Sequence, residues 1–251
     1  MIQIIPLTGL PEIRAGDDLP LILAAHLTDA NLRLFPGDVL VVTQKIVSKA
    51  EGRFVDPASI TPSPEAVALS EEVNKDPALV ELVLRESSAV VRKAPNILIT
   101  RHRLGHVMAN SGIDASNIGA VNGGKVLLLP EDPDASAARI AKACAKAFDF
   151  VPGVVISDSF GRPWRMGTTN VAIGVAGMPA LVDQRGEPDR DGRIMQVTQI
   201  ALGDAVAAAA GLAMGEGAEG IPAAIVRGVD WSGEAQTSSA IVRPQAEDLF
   251  R

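Results

Sequence analysis

Tyrosine is missing from this sequence, and phenylalanine and tryptophan together supply only 3% of its residues. A surface that stacks unpaired nucleobases needs aromatic faces, so a platform for single-stranded nucleic acid is a poor fit. Positive charge is also scarce: 23 Lys and Arg stand against 30 Asp and Glu, for a net charge of −7. A nucleic-acid or anionic-membrane partner would need a basic patch against that balance. Cys144, in IAKACAKAF, is the single cysteine, which excludes an internal disulfide and a cysteine-only metal centre. The three histidines, His26, His102 and His106, show no metal spacing; the last two are four apart but in a β-like stretch, and read as structural. No G-x-S-x-G is present and Cys144 has no catalytic context, so covalent catalysis is not the first expectation. The apolar run AVAAAAGLAM is too short to span a bilayer. The N-terminal MIQIIPLTGLPEIR lacks a basic region and a small-residue cleavage pattern. The expectation is a cytoplasmic protein with neither a membrane nor a nucleic-acid partner.

What remains is aliphatic. Hydrophobic residues make up 47% of the 251, enough for a large Val, Ile, Leu and Ala core. IQIIP reads as an opening strand, DLPLILAAHL as a short helix, and GDVLVVTQK as a β-rich run after the turn Pro36-Gly37. Ser63-Pro64 and Asp76-Pro77 each pair an N-cap with a proline that opens a helix. AVVRKA and NILITRHRLGHVMAN read as strands with a turn near Leu104-Gly105. VLLL (126–129), VVIS (154–157), VAIGVAG (171–177) and AAIVRG (223–228) read as further strands. ASAARIAKACAKAF reads as a helix, and QVTQIALGDAVAAAAGLAM (196–214) as the longest one. Helices interleave with runs of consecutive strands, which predicts an α+β fold. Residues 1–251 form one unit; two subdomains would fit, but no boundary is readable.

Two glycine motifs imitate nucleotide loops. Gly119, Gly124 and Lys125 give G-x-x-x-x-G-K, but Val126 replaces the Ser or Thr of a P-loop and a strand follows where a helix should. Gly215, Gly217 and Gly220 give G-x-G-x-x-G in the order helix, loop, strand, the reverse of a dinucleotide fingerprint. The first reads as a turn feeding a strand, the second as a glycine helix stop whose backbone can approach a ligand closely.

Three polar clusters hold more chemistry. In NSGIDASNIG, Asp114 and Asn117 sit in a polar loop; Asp114 is a hard oxygen ligand for Mg²⁺, Mn²⁺ or Ca²⁺, or else forms an Asx-turn. In VVISDSFGRPWRMG a buried strand ends in Asp158-Ser159, with Arg162 and Arg165 following in a loop. Acid, hydroxyl and arginines suit metal-assisted phosphoryl transfer, though charges that merely pair with one another fit the same residues. In TQKIVSKAEGR, Lys45, Lys49 and Arg53 share a face only if the stretch is helical. The preceding run predicts that it is extended.

PLTGLPEI, GDVLVVTQKIVSKAEGR, NSGIDASN, ISDSFGRPWRMG and MGEGAEGIPAAIVRG occur in this order. Together they resemble the coenzyme F-420:L-glutamate ligase family, also called F-420-0 gamma-glutamyl ligase, from Pro6 to about Gly228. The resemblance implies a two-part α+β subunit in an intertwined homodimer. It implies GTP as co-substrate, Mn²⁺ or Mg²⁺, assistance by K⁺, and attachment of L-glutamate to the lactyl carboxylate of a deazaflavin precursor, followed by gamma-linked additions. Residue by residue it implies metal binding by Asp114, Asp158, Ser159 (where Thr is more usual) and Gln199. It implies nucleotide contacts from Leu7, Thr8 and Gly9, from Gln44, Lys45 and Lys49, from Asn117, and from the loop of Gly215, Gly217 and Gly220.

The chemistry expected is an acyl phosphate made by γ-phosphoryl transfer, then attack by the glutamate amine, with catalysis by positioning and electrostatics. Asp114, Asp158 and Lys49 are the expected catalytic groups, and Arg162 or Arg165 are weaker candidates for phosphate or substrate. Two alternatives stay open: a ligase of the same mechanism on another carboxylate acceptor, and a non-catalytic GTP-binding regulatory protein.

Overall fold

A computed structural model describes residues 1–119 and 122–249. The chain runs β1 (Gln3–Pro6), α1 (Leu19–Asp29), β2 (Val39–Thr43), α2 (Gln44–Ala50) and β3 (Phe54–Val55). It continues through α3 (Pro64–Val73), α4 (Pro77–Arg85), β4 (Ser87–Ala94), β5 (Ile97–His102) and β6 (Val107–Ala109). Then follow β7 (Val126–Leu127), α5 (Pro133–Phe148), β8 (Gly153–Arg162) and β9 (Arg165–Ala176). The last elements are β10 (Val182–Asp183), β11 (Gln199–Ile200), α6 (Leu202–Met214) and β12 (Ala223–Arg227). The arrangement is α+β, as the sequence predicts.

Three helices open with one device. Ser63, Asp76 and Asp132 each accept a hydrogen bond from a first-turn N–H, and Pro64, Pro77 and Pro133 follow with no N–H of their own to leave unpaired.

The main sheet has the order β1-β12-β2-β8-β9. Only β2 and β8 run parallel; the other neighbours are antiparallel. Successive side chains of these strands point to opposite faces, and both faces are covered. Leu40, Val42, Val154, Ile156 and Ile225 pack into one core with Leu23 and Leu27 of α1 and Ile140 and Cys144 of α5. Val39, Val41, Val155, Ala224 and Val226 pack into a second with Val206, Ala207 and Ala210 of α6. A third, smaller core joins Leu69 and Val73 of α3, Val80 and Val83 of α4, and Leu98 of β5. It lies beside the antiparallel sheet β4-β5-β6.

Four expectations change. The β-rich run stops at Thr43 and turns into a helix, so Lys45 and Lys49 stand one turn apart; burying Ile46 and Val47 in the first core outweighs the strand propensity of those residues. The strand VVIS does not end at Asp158-Ser159. It runs to Arg162, because β9 pairs with it beyond the rest of the sheet: Asp158 faces Val171 and Arg162 faces Arg165. VLLL is strand only at Val126–Leu127, which pairs with β3. The long helix expected from residue 196 begins at Leu202, and Gln199 lies in β11 instead. Among the described residues the longest helix is α5, with 16 residues. None of their helices is long and apolar enough to cross a membrane.

Candidate functional site

The parallel pairing of β2 with β8 ends at Thr43 opposite Ser157, where β2 stops and β8 runs on. That end therefore delivers Thr43 and Gln44 next to Ser157, Asp158 and Ser159, the edge where ligands commonly bind in sheets with parallel strands. These residues floor a cleft of about 860 Å³. Its walls include Leu10–Ile13, Lys45 and Lys49 of α2, the turn residues Gly119 and 122–125, and the glycine loop 215–220. Both glycine motifs that imitate nucleotide loops thus line one cleft, although neither has its namesake's backbone context.

Lys45 Nζ reaches Asp114 Oδ2 at 2.6 Å and the carbonyl and hydroxyl of Ser116 at 3.2 and 3.1 Å. Asp114 Oδ1 accepts from the Ser116 N–H and hydroxyl, so Asp114 forms the Asx-turn while its other oxygen pairs with Lys45. The backbone of Asp114 is fixed by paired hydrogen bonds with Leu127. Burial pushes the Asp114 carboxyl up, but Lys45 and the Ser116 donors outweigh it and hold the group below its usual value. Lys49 is nearly buried, and its ammonium meets Glu12 Oε1 at 2.7 Å. Asn117 donates to the Gly217 carbonyl at 3.1 Å, tying the two loops together.

Asp158 has no basic partner in direct contact among the described residues. Burial drives its carboxyl up to about 7; the Ser159 N–H lowers it, Asp114 raises it, Lys45 lowers it, and Glu216 raises it again. Asp114 bears on Asp158 only through its charge and does not itself line the cleft, and Glu216, which sequence reasoning missed, bears on it too. That residue follows directly on α6 and its Oε1 accepts from Asn170 Nδ2 at 2.8 Å. Its signal in the sequence was an acid inside the glycine motif. Ser157 Oγ, buried beside Asp158, has no hydrogen-bond partner. Among the described residues no three Asp, Glu, His or Cys side chains form a ready-made cation cluster. Even so, an under-neutralised, half-buried carboxylate, two further acids and an orphaned hydroxyl fit a hard, oxygen-seeking cation.

Other predicted residues lie elsewhere. Leu7 is buried in the core, its N–H bonded to the Ala223 carbonyl, and Thr8 and Gly9 are exposed; the cleft is lined by the next four residues instead. Arg162 and Arg165 close the exposed tip of the β8–β9 hairpin and do not line the cleft. Gln199 is exposed, and its amide approaches Asp183 at 3.4 Å. Strand pairing with β10 takes it away from the helix register that the sequence suggested. Lys125 lines the cleft and was passed over with the discarded P-loop reading.

The chain is thus an α+β protein whose cleft offers lysines and backbone glycines to anions and carboxylates to a cation. A family model described as F420-0:Gamma-glutamyl ligase matches residues 9–228, and the chain belongs to that ligase family. It is 41% identical over 253 residues to the coenzyme F420:L-glutamate ligase of Methanothermobacter thermautotrophicus, covering 100% of this chain and 99% of the relative. The enzyme of that name from Methanopyrus kandleri is 43% identical over 244 residues, with 96% and 94% covered. That from Halorubrum lacusprofundi is 45% identical over 235 residues, with 91% and 87% covered.

Proposed function

We propose that this protein joins L-glutamate to the lactyl carboxylate of the deazaflavin precursor F-420-0, with GTP and Mn²⁺ or Mg²⁺, and then adds gamma-linked glutamates. Full-length similarity to relatives named for this ligation supports the substrates. The observation that carries the chemistry is Asp158, half-buried without a basic partner in contact while Asp114 and Glu216 bear on it, in a cleft that also holds Lys45 and Lys49.

A carboxylate cannot be attacked usefully by an amine, because oxide would have to leave. In the proposed reaction an oxygen of the acceptor carboxylate attacks the γ-phosphorus and GDP departs, giving an acyl phosphate. The glutamate nitrogen then attacks the acyl carbon; the C–O bond breaks, inorganic phosphate leaves with its electron pair, and the amine loses a proton. Asp114, Asp158, Glu216 and the Ser159 hydroxyl would hold the divalent cation, which supplies charge neutralisation when bound. Lys49, now paired with Glu12, and Lys45, now paired with Asp114, would supply positive charge to the phosphates. Glycine backbone at 215–220 leaves room for the nucleotide to approach, and Asn117 holds that loop in place. Glu12, Asp158, Glu216 and Glu219 line the cleft, and Glu12 and Glu219, which hold no divalent cation in this scheme, are free to take up the amine's proton. Potassium belongs to the same proposal with no residue assigned to it.

The test follows the oxygen. With a heavy-oxygen label in the acceptor carboxylate, one labelled oxygen should appear in the released phosphate for each amide formed. The expelled labelled oxygen appearing in water, with none in the phosphate, would exclude the acyl phosphate.

A further inference from the structure

The geometry points to Asn170 as a positioning residue that fixes the Glu216 carboxylate toward Asp158, with Gly211 as the gap that lets it do so. This rests on the cation reading above.

Asn170 lies on β9, paired in register with Ser159, the neighbour of Asp158. It is 9% exposed, where an apolar side chain would pack at no polar cost. Its amide instead donates to Glu216 Oε1 at 2.8 Å. Glu216 is itself exposed to the cleft and, as a long side chain, would otherwise sample many rotamers. One buried donor therefore selects the orientation of one exposed acid.

The contact depends on α6. A Cβ on Gly211 would stand 2.5 Å from Asn170 Nδ2 and 3.1 Å from its Cγ. Glycine is a poor choice within a helix, and here the missing methyl is the space the amide occupies. Side chains that hold a metal-facing carboxylate by hydrogen bonding typically change metal affinity by about 10–100-fold when removed.

The test is a titration of Mn²⁺ alone into the full chain, with free metal read by electron paramagnetic resonance, for the wild type, Asn170→Ala, Glu216→Ala and the double variant. Asn170→Ala should weaken Mn²⁺ binding about tenfold. In the Glu216→Ala background the same change should cost nothing more. Gly211→Ala should mimic Asn170→Ala in binding, and it carries the test should Asn170→Ala fail to fold. Added to Asn170→Ala, however, Gly211→Ala should raise the melting temperature, because the clash is gone and alanine favours the helix. An Asn170→Ala effect that is absent, or equally large without Glu216, makes Asn170 a packing residue and overturns this inference while the cation reading stands. A wild type that takes up no Mn²⁺ overturns both.

Discussion

Asp158 sits where its charge is disfavoured by burial and by Asp114 and Glu216, a conflict of the kind that clusters at functional sites. Asp158→Asn keeps the shape and removes the conflict. The expected outcome is a protein at least as stable as the wild type in thermal melts without divalent cation, with kcat lower by about 100–1,000-fold. A stable variant with near-normal turnover would show that the carboxylate is dispensable. Glu86 presents the opposite case. His102, its Nε2 3.4 Å away, lowers the Glu86 carboxyl, burial opposes, and Arg53 and Arg103 add to the lowering, for a value of about 2. An acid depressed in the folded state stabilises the fold above its ordinary value of 4.5 and loses that contribution as pH falls through about 2. Glu86→Gln should therefore cost on the order of 1–2 kcal/mol at pH 7, after solvent screening, with the gap to wild type closing in acid. Denaturant melts at pH 7 and pH 3 read this directly; an equal gap at both would contradict it.

Among elements, β9 and the start of α5 approach closely at Gly174. A Cβ on Gly174 would stand 2.5 Å from the backbone carbon and oxygen of Pro133, atoms that cannot swing aside. Gly174→Ala should destabilise by about 1–3 kcal/mol through overpacking, seen as a lower urea midpoint; an unchanged midpoint would mean that the two elements part freely. What the sequence revealed at this scale followed locality. Ser63-Pro64 and Asp76-Pro77 announce their helices because cap and proline act within a few residues. The start of α2 was hidden, since only the core that receives Ile46 and Val47 decides it. The length of β8 was hidden too, because polar Ser157–Arg162 stays strand only by pairing with β9. The site divides in the same way. Asp114, Asp158 and Lys49 were legible as chemistry in sequence. Glu216 and Asn170 were not, because they are 46 residues apart and meet only once α6 packs on β9.

For the molecule as a whole, the β8–β9 hairpin carries Trp164 and Met166 at its tip, 81% and 98% exposed. Large apolar side chains so placed suit burial against another surface, and the homodimer implied by the sequence resemblance would supply one. Light scattering should give the mass of two chains, and Trp164→Glu with Met166→Glu should shift it toward one; a monomeric wild type would remove the dimer from the account. The central claim is that one cleft couples a nucleotide to amide formation. Its most direct measurement is mass spectrometry of the deazaflavin product after incubation with precursor, L-glutamate, GTP and Mn²⁺, with GDP quantified in the same sample. Product heavier by whole glutamyl units should form with one GDP for each, and neither product nor GDP should form when acceptor or glutamate is withheld. Glutamyl addition without GTP, or GTP consumed with no glutamyl gain, would contradict that claim.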